Sequence, residues 1–230
     1  MPSSERSRLA DDRRTAGFLK MLEELNARHL VGVDGVREVW LIRHADAYAG
    51  IETLILGRID TELSERGRVQ AERLAARLAP VPLQGVWSSD LLRARQTDEV
   101  IARGRPLAVR VDTRLTEVRT HWDDGREEAE RLAPGSYPFP EPEAAVVDRM
   151  RSVIADVVAS LPEEGPVPRA AVVTHNAAIA IYLASVLGLG WGQLRVMPQF
   201  TSVSVVAVKG DHVVVQSIGD VTHLAASRWD

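Results

Sequence analysis

Two histidines in this chain stand directly behind short apolar runs. Val39-Trp40-Leu41-Ile42 leads through Arg43 into His44, and Ala171-Val172-Val173-Thr174 leads into His175. Such runs suit strands buried on both faces of a parallel sheet. In open α/β sheets ligands bind beyond the carboxyl ends of the strands, so both imidazoles are expected at one edge. Gly85-Val86-Trp87 begins another strand and is followed by Ser88, Ser89, Asp90 and Arg93, while Glu117 comes soon after the strand predicted over Leu107 to Val111. One edge then collects two histidines, at least two arginines and an acid.

That inventory suits phosphoryl transfer through histidine. A neutral imidazole is a competent nucleophile near pH 7, and the charge spread over the transferred group is stabilised by cations. Arginine matches a phosphate with two parallel hydrogen bonds. A carboxyl group can then protonate the leaving alkoxide, with Glu117 as the first candidate and Asp46 and Asp123 as alternatives. The competing chemistries lack their residues. The chain has no cysteine, which excludes disulfides, thiolate metal sites and cysteine nucleophiles. It has no phosphate-loop, dinucleotide, metal-helix or nucleophile-elbow motif. Its six histidines show no short metal-ligand spacing, so neither a metal nor a cofactor is expected.

The elements that must position these groups alternate. Phe18, Leu22 and Leu25, with Leu19 beside them, predict an amphipathic helix within Leu9 to Leu30, packed on its own domain or on a second subunit. Ser64 is the expected N-cap of a helix carrying Val69, Leu74 and Leu78 that stops before Pro80. Further helices are expected over Leu91 to Ile101, over Val146 to Leu161, and through Ile179, Leu183 and Leu187 to Gly188. Val203 to Val206 and Val213 to Val215, joined through Lys209-Gly210-Asp211, form a predicted β-hairpin. The fold class is therefore α/β, a three-layer α/β/α sandwich with a mainly parallel sheet and an antiparallel edge. We expect residues 1–35 to be an N-terminal helical extension and 36–230 a single domain. Thr113 to Pro142, rich in proline and without a clear period, is expected to be a lid or binding loop.

The balance of 28 basic and 32 acidic residues, net −4, argues against a broad nucleic-acid-binding face. No stretch reaches the ~18 apolar residues of a membrane helix, and the polar start lacks a signal-like apolar region, so a cytoplasmic protein with no membrane partner is expected. A homodimer stays open as the assembly.

Taken together, Leu41-Ile42-Arg43-His44-Ala45, Gly57 through Gln70-Ala71, Ser88 through Thr97, Leu115-Thr116-Glu117 and Val172-Val173-Thr174-His175 resemble, in order, the five blocks of the histidine phosphatase superfamily. Its best-known members are the cofactor-dependent phosphoglycerate mutases. The resemblance spans roughly Arg37 to Leu224. It implies a phosphoglycerate-mutase-like fold, a transient phosphohistidine on His44, phosphoryl oxygens held by Arg43, Arg93 and His175, and proton donation by Glu117, without metal. Ala45 replaces the signature glycine. Gly50 stands where many members carry a phosphate-contacting asparagine, and Asn176 could supply part of that contact. His121 and Trp122 are candidates for the substrate pocket, whereas His223, in a block like the family's last, is expected to be structural. The loop after Glu117 lacks the tyrosine, lysine and paired-arginine pattern of the glycolytic mutases. A phosphatase acting on a small-molecule or protein phosphomonoester is thus the leading expectation. A mutase, or a weakly catalytic phosphate-binding or interaction protein on the same fold, is the alternative. Each requires the rings of residues 44 and 175 to meet, with access to solvent.

Overall fold

The computed structural model describes residues 3–47, 53–55, 58–119, 137–163 and 166–225. Gly50, His121, Trp122 and Asp123, and most of the expected lid, lie outside them. Helix α1 (Ser3–His29) comes first, then strand β1 (Arg37–Arg43), a short ribbon of β2 (Thr53–Ile55) and β3 (Arg58–Asp60), helix α2 (Glu65–Leu78), β4 (Leu83–Ser88), α3 (Leu92–Ala102) and β5 (Val109–Val111). After them follow α4 (Glu143–Ala159), β6 (Arg169–Thr174), α5 (Asn176–Val186), β7 (Val203–Lys209) and β8 (His212–Asp220). The main sheet runs β5-β4-β6-β1-β7-β8. β1, β6, β4 and β5 are parallel, while β7 and β8 run antiparallel at one edge, as the alternating pattern predicts.

Alternation along β1 divides the core. Val39 and Leu41 face α4 and α5, packing with Met150, Ile154 and Ile179. Ile42 faces the other way, against Leu74 and Leu78 of α2 and Ala94 and Ile101 of α3. The sheet is therefore covered on both faces, which explains why its strands read as continuous apolar runs. Ser64 caps α2 as expected, its side chain accepting from the Gly67 amide at 3.0 Å. Gly210 (φ 57°) and Asp211 form the two-residue turn between paired Lys209 and His212, and β8 then continues to Asp220, well beyond the expected Val215.

Helix α1 departs from one of its two expected packings. Phe18 is 55% exposed, and Leu19 and Leu25 are also exposed, so the apolar stripe does not bury on its own domain. The apolar residues that do anchor this end come after the helix: Leu30 and Val36 pack with Ala207. Among the described residues, no helix is long and apolar enough to cross a membrane.

Candidate active site

Register brings the two histidines together. β1 and β6 pair in parallel with Arg43 opposite Thr174, so His44 and His175, the next residues, leave neighbouring strands at the same level. The His44 amide donates to the Thr174 carbonyl at 3.0 Å. The ring centroids lie 5.0 Å apart, tilted by 56°. Strand β4 pairs beside β6 with Ser88 opposite Val173, which sets Ser89 next to His175.

Hydrogen bonds assign the tautomer of His44. Arg93 Nε lies 3.2 Å from His44 Nε2, and a guanidinium can only donate, so Nε2 carries the lone pair. Nδ1 then holds the proton and donates to the Ala45 carbonyl at 2.7 Å. Thr97 fixes Ala45 in turn, its hydroxyl accepting from the Ala45 amide at 3.0 Å and donating to the Arg93 carbonyl at 2.7 Å. Burial, followed by the Arg93 charge, holds the His44 pKa well below its ordinary value, so the ring is neutral at pH 7.

His175 occupies the N-cap position of α5, with Nε2 2.8 Å from Ser89 Oγ. Its other nitrogen, Nδ1, is buried without a hydrogen-bond partner. Burial and then Arg93 lower its pKa well below the ordinary value as well. Arg43 stacks over Phe200, with Cζ 3.9 Å from the ring centroid, and Nη1 donates to the Pro198 carbonyl at 2.9 Å. Its Nε is likewise buried and unpartnered. Orphaned buried donors are rare in native proteins and call for a partner. Here one is Arg43 Nε, and His175 Nδ1, buried without a partner, becomes a second when it carries a proton; both flank His44, and an anion would then satisfy both.

Glu117 sits at the start of α5. Oε1 accepts from the amides of Val118 (2.9 Å) and Ala178 (3.2 Å), and Oε2 from Ala177 (3.5 Å). These amides and Arg93 favour the carboxylate, yet burial outweighs them and the pKa is raised above the usual 4.5. Arg149 of α4 clamps the segment carrying it, donating to the Arg114 and Thr116 carbonyls at 2.7 and 2.9 Å and pairing with Glu141. Asp46, one alternative acid, is engaged elsewhere, accepting from Ser64 Oγ at 2.7 Å. Asn176 is the first residue of α5, beside His175. His223 is tied to Arg77 and to Thr201 Oγ1, the structural setting expected of it.

The sequence reasoning set two conditions, that the rings meet and that both have access to solvent; the first holds and the second does not, so a phosphoryl group can reach His44 only if Arg93 is displaced. His175 is fully buried and His44 only 6% exposed, with Arg93 seated on the lone pair of His44. The sequence also left Thr97, Phe200 and Arg149 unassigned. Thr97 closes the Ser88-to-Thr97 block but was given no role there, while a Phe near a strand and one Arg among many carry no distinctive pattern. Among the described residues, no group of three or more His, Asp or Glu side chains is placed to hold a metal ion.

The comparisons with known proteins agree on the family and the fold. A family model for the histidine phosphatase superfamily (branch 1) matches residues 39–221. A curated relative, "Probable phosphoglycerate mutase GpmB" of Shigella dysenteriae serotype 1, is 28% identical over 209 residues, covering 84% of this chain and 97% of that protein. Among solved structures, the mycobacterial glucosyl-3-phosphoglycerate phosphatase Rv2419c superposes with a TM-score of 0.67 at 27% identity, over 81% of this chain and all of that one. Bacillus stearothermophilus YhfR gives 0.64 at 26%, over 82% of this chain and 99% of that one.

Proposed function

We propose, from the premise that this chain belongs to branch 1 of the histidine phosphatase superfamily, that it hydrolyses a small-molecule or protein phosphomonoester through a phosphohistidine on His44. The observation that carries the proposal is the neutral His44 lone pair beside the orphaned Nδ1 of a buried second histidine.

On binding, the phosphoryl oxygens draw Arg93 away from His44 Nε2, and Arg43, Arg93 and His175 share the developing charge, with the Asn176 side chain adjoining them. Nε2 attacks phosphorus, the P–O bond to the alcohol breaks, and Glu117 gives its proton to the departing alkoxide. The carboxylate of Glu117 then takes a proton from water as that water attacks phosphorus. The P–N bond breaks, returning neutral His44 and releasing inorganic phosphate. Burial supports Glu117 as the acid because it favours the protonated form.

Brief reaction with a phosphorus-labelled ester, followed by quenching, should leave an acid-labile, alkali-stable label on His44, and His44→Ala should abolish both label and phosphate release. Full phosphate release by that variant would overturn the mechanism. A second reading, transfer to another substrate hydroxyl, is favoured by the relative named as a mutase. In that case the label returns on a second position of the substrate rather than as inorganic phosphate.

A further inference from the structure

We propose that His223 is a positioning residue: through Thr201 it fixes the segment 198–202 that holds Arg43 in place to receive a phosphoryl oxygen. The inference rests on the phosphomonoester reading above and adds to it a residue that acts through others, beyond the packing expected of it.

Arg43 leans on that segment with both backbone and side chain. Its amide donates to the Ser202 carbonyl at 3.2 Å, and its carbonyl accepts from the Thr201 amide at 3.0 Å. The antiparallel ladder of β1 and β7 thus runs one step past the pairing of Ile42 with Val203. The guanidinium lies on the Phe200 ring and donates to the Pro198 carbonyl. A shift anywhere in 198–202 therefore moves the buried, unpartnered Nε of Arg43 relative to His44.

The segment turns at Thr201, which is fully buried and has φ 57°. Left-handed backbone is unfavourable for a β-branched residue and persists only where its surroundings over-determine it. His223 supplies such a constraint. Its Nε2 lies 3.0 Å from Thr201 Oγ1, while Arg77 Nη1 lies 3.3 Å from its Nδ1. A guanidinium can only donate, so Nδ1 holds the lone pair and Nε2–H donates to Thr201. The Thr201 hydroxyl agrees in direction, because it donates onward to the Phe200 carbonyl at 2.7 Å. Burial, followed by the Arg77 charge, pushes the His223 pKa down to about 4, so the ring is neutral at pH 7 and keeps this polarity. Arg77, in the last turn of α2, is itself held by the carboxylate and the carbonyl of Asp220, and Asp220 ends β8 opposite Val203. The chain of contacts runs from α2 and the end of β8, through one imidazole and one hydroxyl, to the backbone of Arg43.

Calorimetric titration with inorganic phosphate reads the Arg43 arm without turnover. His223→Leu fills much of the same space but donates nothing, and phosphate should bind roughly tenfold more weakly, the worth of one charge-assisted contact. The kcat/KM for 4-nitrophenyl phosphate should fall in step, chiefly through KM. His223→Gln, able to accept from Arg77 and donate to Thr201, should restore both. Thr201→Gly is the discriminating background, since glycine takes a positive φ without strain; there His223→Leu should change phosphate affinity less than about twofold. Unchanged affinity in His223→Leu, or an equal loss in the threonine and glycine backgrounds, overturns the proposal. If the leucine variant does not fold, Thr201→Val removes the acceptor while keeping the β-branch and should bind phosphate as weakly; wild-type affinity in it overturns the proposal too. Phosphate binding that follows this pattern without turnover rejects the reaction and keeps the positioning role, whereas turnover with unaltered affinities does the reverse. A wild-type protein that binds no phosphate rejects both.

Discussion

Replacing Thr97 with valine removes one hydroxyl and nearly preserves shape. In the wild-type protein that hydroxyl, fully buried, is the acceptor for the Ala45 amide and a donor to the Arg93 carbonyl. The carbonyl keeps its ordinary helical bond within α3, so its loss is minor. The Ala45 amide is left unsatisfied, at a cost of about 1–3 kcal/mol. For a chain of this length that is a fall in Tm of roughly 2–12 °C. Catalysis should suffer separately, because Ala45 also supplies the carbonyl that orients His44 Nδ1. A nucleophile displaced by ~1 Å loses up to ~100-fold in rate. Thermal unfolding followed by circular dichroism, with single-turnover phosphate release, reads both effects. Thr97→Ser keeps the hydroxyl and should sacrifice only about 1 kcal/mol of packing, with turnover near wild type. Should the valine variant match wild type in stability and rate, or the serine variant fail as badly, the hydroxyl does not hold the nucleophile.

Other perturbations probe the same frame. In Gly67→Ala the added methyl would overlap the Asp46 backbone carbonyl. The turn behind His44 must then shift, which should cost at least about 3 kcal/mol and most of the activity, measured by urea unfolding and turnover. Arg149→Met strands Glu141 and the carbonyls around Thr116. It should cost about 2–4 kcal/mol, somewhat below a fully buried pair, and Arg149→Met/Glu141→Leu should recover part of that stability. Asp98 is buried, with no well-formed hydrogen bond to either carboxyl oxygen although Ser88 lies beside it, and burial outweighs Ser88 and raises its pKa well above the ordinary 3.8. Its contribution is intact below pH 3.8 and erodes as pH rises toward the folded value, so Asp98→Asn should gain on wild type with increasing pH. His44 and His175 have the opposite sign. Their folded pKa values lie below 6.5, so unfolding takes up protons, and stability should fall below pH 6.5 by about 1.4 kcal/mol per pH unit for each ring still neutral. Asp98 and Glu117 act in the opposite sense over this range, so the rings are read in Asp98→Asn/Glu117→Gln, where a flat stability curve from pH 7 to 5 would contradict both burials.

Much of this was legible because it depends on local pattern and on strand ends. Leu41-Ile42 and Val172-Val173 read as doubly buried strands, and parallel pairing alone carries Arg43 level with Thr174 and His44 level with His175. The Ser64 cap and the Gly210 turn follow from residue preference over a few positions. What escaped depends on tertiary contact. Thr201 adopts a left-handed conformation (φ 57°) unusual for a β-branched residue, held by a hydrogen bond that its backbone N–H donates to the Arg43 carbonyl, and so fixes Phe200 beneath Arg43. No pattern in Pro198-Gln199-Phe200-Thr201 announces it. The stripe of α1 shows the converse failure: Phe18, Leu22 and Leu25 repeat as a buried face should, but periodicity does not say what, if anything, covers that face.

The closure of the site follows from the same electrostatics that suit it to an anion. Arg93 places its charge beside two imidazoles and the half-buried Glu117, adding to the burial that keeps both rings neutral while opposing protonation of Glu117. In the proposed mechanism a phosphoryl dianion between them opposes the field of Arg93 and Arg43. It draws Arg93 off His44 Nε2, freeing the lone pair in the presence of the group it must attack. It also favours a proton on His175 Nδ1, the buried nitrogen that otherwise has no partner. The same negative charge offsets Arg93 at Glu117 and so adds to the burial that favours the protonated carboxyl group the proposal needs. On this proposal one arginine covers His44 Nε2 and helps keep both rings neutral, and the substrate's own charge arms the proposed nucleophile, phosphate ligand and acid together.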